Sequence, residues 1–289
     1  MKIALDPTPF HHDAGLLDFP RIVAECGYEH IQLTPHPDLI PFFRHPKADD
    51  ALIRQLRKAC DDAGVGIASV LPVQRWSWPD EPQREAAVRN WKRIIQVTVD
   101  LGCQVINTEF SGRPERAEES EAAFYRSMEE LLPIIEREGL DVRIDPHPDD
   151  FVEDGLEALR VIRGLNSDRI GMVYVACHTF HMGGNLREIM RAAGDRLRLV
   201  HVADSMDHRR SHGLRYITNP PGSPARVHQH LKIGDGDVDW DDFFDGLREI
   251  GFYDRDDTVM VSSVFAEDED NRAVSKYQLA TMQERIARR

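Results

Sequence analysis

Along the chain, short runs of β-branched and other apolar residues alternate with longer stretches in which apolar positions recur every three to four residues. The short runs are Lys2–Leu5, His30–Leu33, Gly66–Leu71, Gln104–Asn107, Asp141–Ile144, Ile170–Val175, Arg198–Val202 and Thr258–Val261. Several are almost wholly apolar, which predicts strands buried on both faces, as in a parallel sheet. Between them lie predicted helices, among them Asp49–Ala63, Arg84–Leu101, Glu115–Glu138, Gly155–Leu165, Asn185–Ala193, Trp240–Ile250 and Asn271–Arg288. Glycine follows Cys26, Ala63, Leu101, Glu138 and Ile250, where a left-handed residue would close a helix end. Pro133 lies inside the Glu115–Glu138 stretch and predicts a kink or break, because proline lacks the backbone donor.

Eight strands alternating with helices predict an α/β fold: a closed (β/α)8 TIM barrel, one domain spanning residues 1–289. The rival, an open doubly wound sheet, would carry a glycine-rich phosphate turn after its first strand. Here that place is taken by Asp6-Pro-Thr-Pro-Phe-His-His12. One connection is unusually long. The 37 residues from Ala203 to Asp239, rich in His, Arg, Gly and Pro, follow strand seven. Barrel geometry sets them over the C-terminal face as a lid or an interface element.

Composition narrows the function. Lys and Arg number 36 against 50 Asp and Glu, a formal charge of −14, which argues against nucleic-acid or anionic-membrane partners. No apolar run reaches the ~18 residues of a membrane span. The four cysteines are scattered without a CxxC pair, and the start, with its lone Lys2, does not read as a signal peptide. A soluble, reduced, cytoplasmic protein is the expectation.

In a barrel, chemistry is expected where strands end on the C-terminal face. Strand one ends at Asp6 near His11 and His12, strand two at Thr34 and His36, and strand three leads to Gln74 and Arg75. Strand four ends at Asn107-Thr-Glu109, strand five at Asp145-Pro-His147, strand six at His178 with His181, and strand seven at His201 with Asp204. Eight of the thirteen histidines fall between His147 and His230. Imidazoles and a carboxylate converging on a barrel axis suit a divalent metal such as Mn²⁺, Co²⁺ or Zn²⁺, with Mg²⁺ less natural in so His-rich a shell. His178 and His181 would either share a metal or divide ligation and substrate contact. His228 and His230 point the same way if extended. Trp76 and Trp78 would stack on a sugar ring or cover the rim. Cys177 is a weaker ligand candidate, and Glu267–Asp270 reads as a solvated helix entry.

His178-Thr-Phe-His-Met182, Ile144-Asp-Pro-His-Pro148, Val200-His-Val-Ala-Asp204 and Gly234-Asp-Gly-Asp-Val-Asp-Trp240 together resemble the sugar isomerase/epimerase superfamily of xylose isomerase-like barrels. Members hold a divalent metal with Glu, Asp, His and Glu from strands five to eight and move a proton next to a carbonyl. The resemblance implies Asp145, His178 and His201 as ligands and His181 as a substrate contact. Asp145 and His178 depart from the expected Glu and Asp. The strand-eight glutamate falls in Val261-Ser-Ser-Val264, which offers no carboxylate, so His230, or alternatively His228, would complete the shell.

Leu5–His12, Asn107–Pro114 and Arg215–Gly222 look most like the larger subunit of bacterial C-glycoside deglycosidases. That narrower resemblance implies manganese, a small β subunit in a hetero-oligomer, and a lyase acting on 3-oxo-glycosides: loss of the C2 proton, then β-elimination of the aglycone. His147 is the first candidate base and Glu109 the second. His181 or His36 would protonate the leaving group, with Gln74 a further substrate contact. An isomerase or epimerase of the same superfamily is the alternative reading, and a non-catalytic sugar-binding or scaffold subunit a third.

Overall fold

The computed structural model describes residues 1–178, 184–206, 230–265 and 270–288. His181, His228 and most of the long connection after strand seven lie outside the described residues. Eight parallel strands close into a barrel in chain order: β1 (Lys2–Leu5), β2 (His30–Leu33), β3 (Gly66–Val70), β4 (Val105–Glu109), β5 (Asp141–Asp145), β6 (Ile170–Val175), β7 (Leu197–Val202) and β8 (Val259–Ser262). β1 pairs with β8 as well as with β2, Leu5 standing opposite Ser262, so no edge is left open. The closed (β/α)8 barrel expected from the alternation is the fold observed.

The helices are α1 (Phe19–Glu25), α2 (Asp50–Ala63), α3 (Glu81–Asp100), α4 (Ala117–Glu138), α5 (Gly155–Gly164), α6 (Leu186–Ala193), α7 (Trp240–Glu249) and α8 (Asn271–Ala287). Five aspartates and one asparagine start six of them. Asp49, Asp80, Asp154, Asn185, Asp239 and Asp270 each accept a hydrogen bond from a first-turn N–H, a cap worth about 1 kcal/mol apiece. Asp270 therefore has the helix-entry role expected of its acidic run. All five glycines expected at helix ends have positive φ; Gly139, at φ +68°, closes α4 by donating to the carbonyls of Glu136 and Ile135. None of the described helices is long and apolar enough to cross a membrane.

Two layers of core hold the barrel. Inside it lie mostly small side chains, including Ala4, Ala68, Val173, Val175, Leu199, Ala203 and Val261. The larger layer, between strands and helices, contains Trp76, Trp91, Phe124 and Phe243. Two expectations are corrected here. The break at Pro133 does not occur: α4 runs unbroken to Glu138, its face of Phe124, Met128, Leu131 and Ile135 buried on both sides of the proline. Packing on that face outweighs one lost backbone bond. Trp76 is neither a sugar platform nor a rim cover. It is fully buried, stacks on Trp91 at 4.3 Å between centroids and donates to the Glu109 carbonyl at 3.1 Å.

Candidate metal centre and active site

The strand ends and the turns beyond them build a cavity of about 170 Å³ at the C-terminal mouth of the barrel. On its floor, β5 ends in Asp145, and the turn after β6 carries His178. His178 Nδ1 lies 2.9 Å from Asp145 Oδ2. His230 comes from beyond the long connection. An antiparallel bridge between Asp204 and Leu231 brings it back over the barrel, and its Nδ1 donates to the carbonyl of Ser263, just past β8, at 2.7 Å. Because a carbonyl can only accept, His230 carries its proton on Nδ1 and leaves Nε2 as an acceptor. His178 Nε2 and His230 Nε2 face each other at 3.3 Å.

The donor atoms of His178, His230 and Cys177 lie within 4.8 Å of one another, all three residues buried. Asp145 Oδ1 is buried without a hydrogen-bond partner. Burial, reinforced by Glu109 and Asp150, pushes the Asp145 carboxyl well above the usual carboxylate range. Burial also holds His230 neutral, its pKa lowered to about 4. Two buried imidazoles and a thiol converging in this way fit a divalent cation. Asp145 stands outside that cluster and fixes His178 through Nδ1, a recurrent way of orienting such ligands.

At the rim stand Glu109 and His147, each about a quarter exposed, with His147 Nε2 3.8 Å from Glu109 Oε1. The Nδ1–H of His147 donates to the Pro148 carbonyl at 2.7 Å, so an Nε2 lone pair faces a carboxylate. The His147 ring meets the His178 ring edge-on at 4.6 Å, setting this pair beside the clustered donors. Across the cavity the wall is Asp6, Thr8, Thr34 and Phe42. Beyond Glu109 and His147 a second recess opens between Phe43, Arg75 and Trp78.

Other expected site residues stand elsewhere. His201 lines the cavity but is not one of the clustered donors. Its Nε2 is 2.8 Å from Asn107 Nδ2 and 3.3 Å from Gln32 Oε1, and burial lowers its pKa to about 3. Gln74 is used up by structure, donating to the carbonyls of Pro41 and Arg44 and accepting from Asn90. His36 accepts from the Asp38 N–H and packs edge-on against His11 and Phe19, away from the main cavity. Sequence reasoning missed the part played by Asp204. Its carboxylate accepts from the backbone of Ser205, Gly234 and Val238 and from Trp240 Nε1. That single group explains why the Asp204 and Gly234–Trp240 motifs belong together: one carboxylate folds the returning segment that carries His230.

Residues 20–284 match the family of xylose isomerase-like TIM barrels. The chain belongs to that family. Among characterised relatives, the inosose isomerase of Bacillus velezensis is 24% identical over 258 residues, 88% of this chain and 86% of the relative. The match to the inosose isomerase of Bacillus licheniformis, 25% identical over 139 residues, spans about half of each chain, 47% here and 46% there. The fold is shared with a crystal structure of the IOLI protein with a binding zinc atom (TM-score 0.76, 18% identity, 99% of this chain and 98% of that one). It is shared equally with 3-keto-D-glucoside 4-epimerase, YcjR, from E. coli (TM-score 0.74, 17% identity, 98% and 99%).

Proposed function

We propose that this protein is a divalent-metal-dependent isomerase or epimerase of a polyhydroxylated ketone, a keto-sugar or an inosose. One observation carries the reading: the Nε2 atoms of His178 and His230, 3.3 Å apart in a buried cluster with Cys177, under a rim that holds Glu109 and His147 3.8 Å from each other. His178 and His230 would hold the metal through Nε2, with Cys177 the third clustered donor. Asp145 and His201 would join only by giving up their contacts with His178 and Asn107. Such a donor set suits zinc, manganese or cobalt. When bound, the metal supplies Lewis acidity toward a substrate carbonyl. Glu109 and His147 take the acidified proton next to that carbonyl, while Thr8 and Thr34 on the far wall bind ring hydroxyls. The inosose and keto-sugar substrates of the relatives named above point to the same chemistry.

The test is to incubate metal-loaded protein with an inosose, D-fructose and a 3-oxo-glucoside in D₂O. Deuterium next to the carbonyl of an intact sugar is the expected result. Absence of exchange from every substrate would sink the proposal.

A second reading is the β-eliminating lyase of 3-oxo-glycosides, with manganese and a small second subunit. Two observations favour it: β8 ends in Ser262 and Ser263 without a carboxylate, and the recess beside Glu109 and His147 could receive a leaving group between Phe43 and Trp78. Released aglycone, assayed with and without a co-purified small subunit, separates it from epimerisation.

A further inference from the structure

Inverting a carbon next to a carbonyl takes two groups on opposite faces of the substrate, one to remove a proton and one to deliver it. Glu109 and His147 stand on one side, at the ends of β4 and β5. β8 has no carboxylate to face them. The neighbouring strand does. β1 closes the barrel against β8, and the Asp6 N–H donates to the Ser262 carbonyl at 3.0 Å, which sets Asp6 level with the serines that end β8. Closure in chain order also places β1 across the barrel from β5. Asp6 alternates with Ala4, an interior residue, so its side chain turns inward. It lines the same cavity as Glu109, His147, His178 and His230.

We infer that Asp6 is the second acid/base residue of the site, working from the face opposite Glu109 and His147. The inference rests on the isomerase or epimerase reading and supplies the group that β8 lacks. Its carboxylate is already aimed: Oδ1 accepts from the Thr8 N–H at 2.9 Å, and Oδ2 lies 3.4 Å from Gln32 Nε2. Burial pushes its carboxyl up to about 6, so it can hold a proton near neutrality and still release it. The balance is simple. The Glu109–His147 pair breaks the C–H bond and keeps the proton. The electron pair moves into the enolate, and the Asp6 O–H forms the new C–H bond from the other face, leaving a carboxylate. Exchange with solvent resets both groups.

The experiment compares wild type with Asp6→Asn, both metal-loaded, on an inosose and on D-fructose in D₂O. Asp6→Asn should keep its metal and still place deuterium in recovered substrate, while the epimer forms at least about 10²-fold more slowly. Equal epimer formation by the variant overturns the inference and leaves the parent reading standing. A wild type that exchanges the proton but yields no epimer overturns it too. A wild type that exchanges nothing overturns the parent reading instead. A second measurement needs no variant: wild type given substrate deuterated next to the carbonyl, in H₂O, read at first turnover. Two bases predict an epimer that carries hydrogen from solvent at the inverted carbon. Deuterium retained there means a single base, and Asp6 has no part.

Discussion

Asp204 offers the sharpest test of how the metal centre is assembled. Its side chain is fully buried and accepts four hydrogen bonds, two of them wholly buried: Ser205 N–H at 2.8 Å and Trp240 Nε1–H at 2.7 Å. The other two, from Gly234 and Val238, pin the turn leading into α7. Asp204→Ala removes every acceptor at once. A buried donor left unsatisfied costs about 1–3 kcal/mol, so the two buried ones alone predict a loss of about 2–6 kcal/mol. At about 2 °C per kcal/mol for a chain of this size, Tm should drop by about 4–12 °C. The damage should not stop at stability. The bridge from Asp204 to Leu231 is what returns His230 to Ser263, so metal affinity should fall as well. Calorimetry gives the first quantity and metal content after dialysis the second. Trp240→Phe, which removes one donor and keeps a ring, should cost about 1–2 kcal/mol and add less than its full value on top of Asp204→Ala. A variant within 2 °C of wild type, per the same conversion, that still holds stoichiometric metal would refute the reasoning, as would full additivity of the two changes.

Four other substitutions test separate parts. His178→Ala should remove metal and turnover together while circular dichroism and Tm report an intact barrel; retained metal moves the site elsewhere. Glu109→Gln and His147→Asn should each lower turnover by about 10²–10⁴-fold with metal content unchanged, and full activity in both would strip the rim pair of its role. His11, stacked flat on Phe19 at 5.0 Å, has its pKa lowered to about 4, by burial first and then by His36 and His12. A histidine depressed in the fold contributes stability that is full above its unfolded value of about 6.5 and is lost as pH falls toward 4. Relative to His11→Gln, wild type should therefore lose stability across that window in urea titrations. Parallel profiles would contradict the assignment.

The alternation of apolar runs with helical periodicity carried the barrel because both signals are local. So did the five glycines at helix ends, since a left-handed residue is demanded by the residues immediately before it. The site was only partly legible. Asp145, His178 and His201 drew attention because a polar residue at a strand end stands out against its neighbours, and His230 was implied by the superfamily resemblance. Gln74 looked equally well placed, yet its amide is satisfied by Pro41, Arg44 and Asn90, on three segments whose approach no local pattern encodes. Trp76 was misread for the same reason, its partner Trp91 lying on the next helix. Whether a polar strand end faces the cavity or ties down a loop is decided by tertiary neighbours, and Asp204 shows that the answer can be a motif thirty residues away.

The proposed ligand set changes the charge of the centre, and with it the division of labour. The superfamily resemblance implies three carboxylates and one imidazole, which would leave a dication anionic overall. His178 and His230 with a single anionic donor would leave it cationic, because burial keeps His230 neutral. A cationic centre in a buried cavity stabilises a developing enolate more strongly than an anionic one. It also releases carboxylates from ligation. A glutamate on the metal is held at low basicity by the charge it binds, whereas Glu109 at the rim and Asp6 on the far wall are not clustered with the donor atoms and can exchange protons. Replacing the strand-eight carboxylate by an imidazole delivered over the top of the barrel therefore need not abolish proton chemistry on two faces. It moves the second carboxylate one strand along, from β8 to β1.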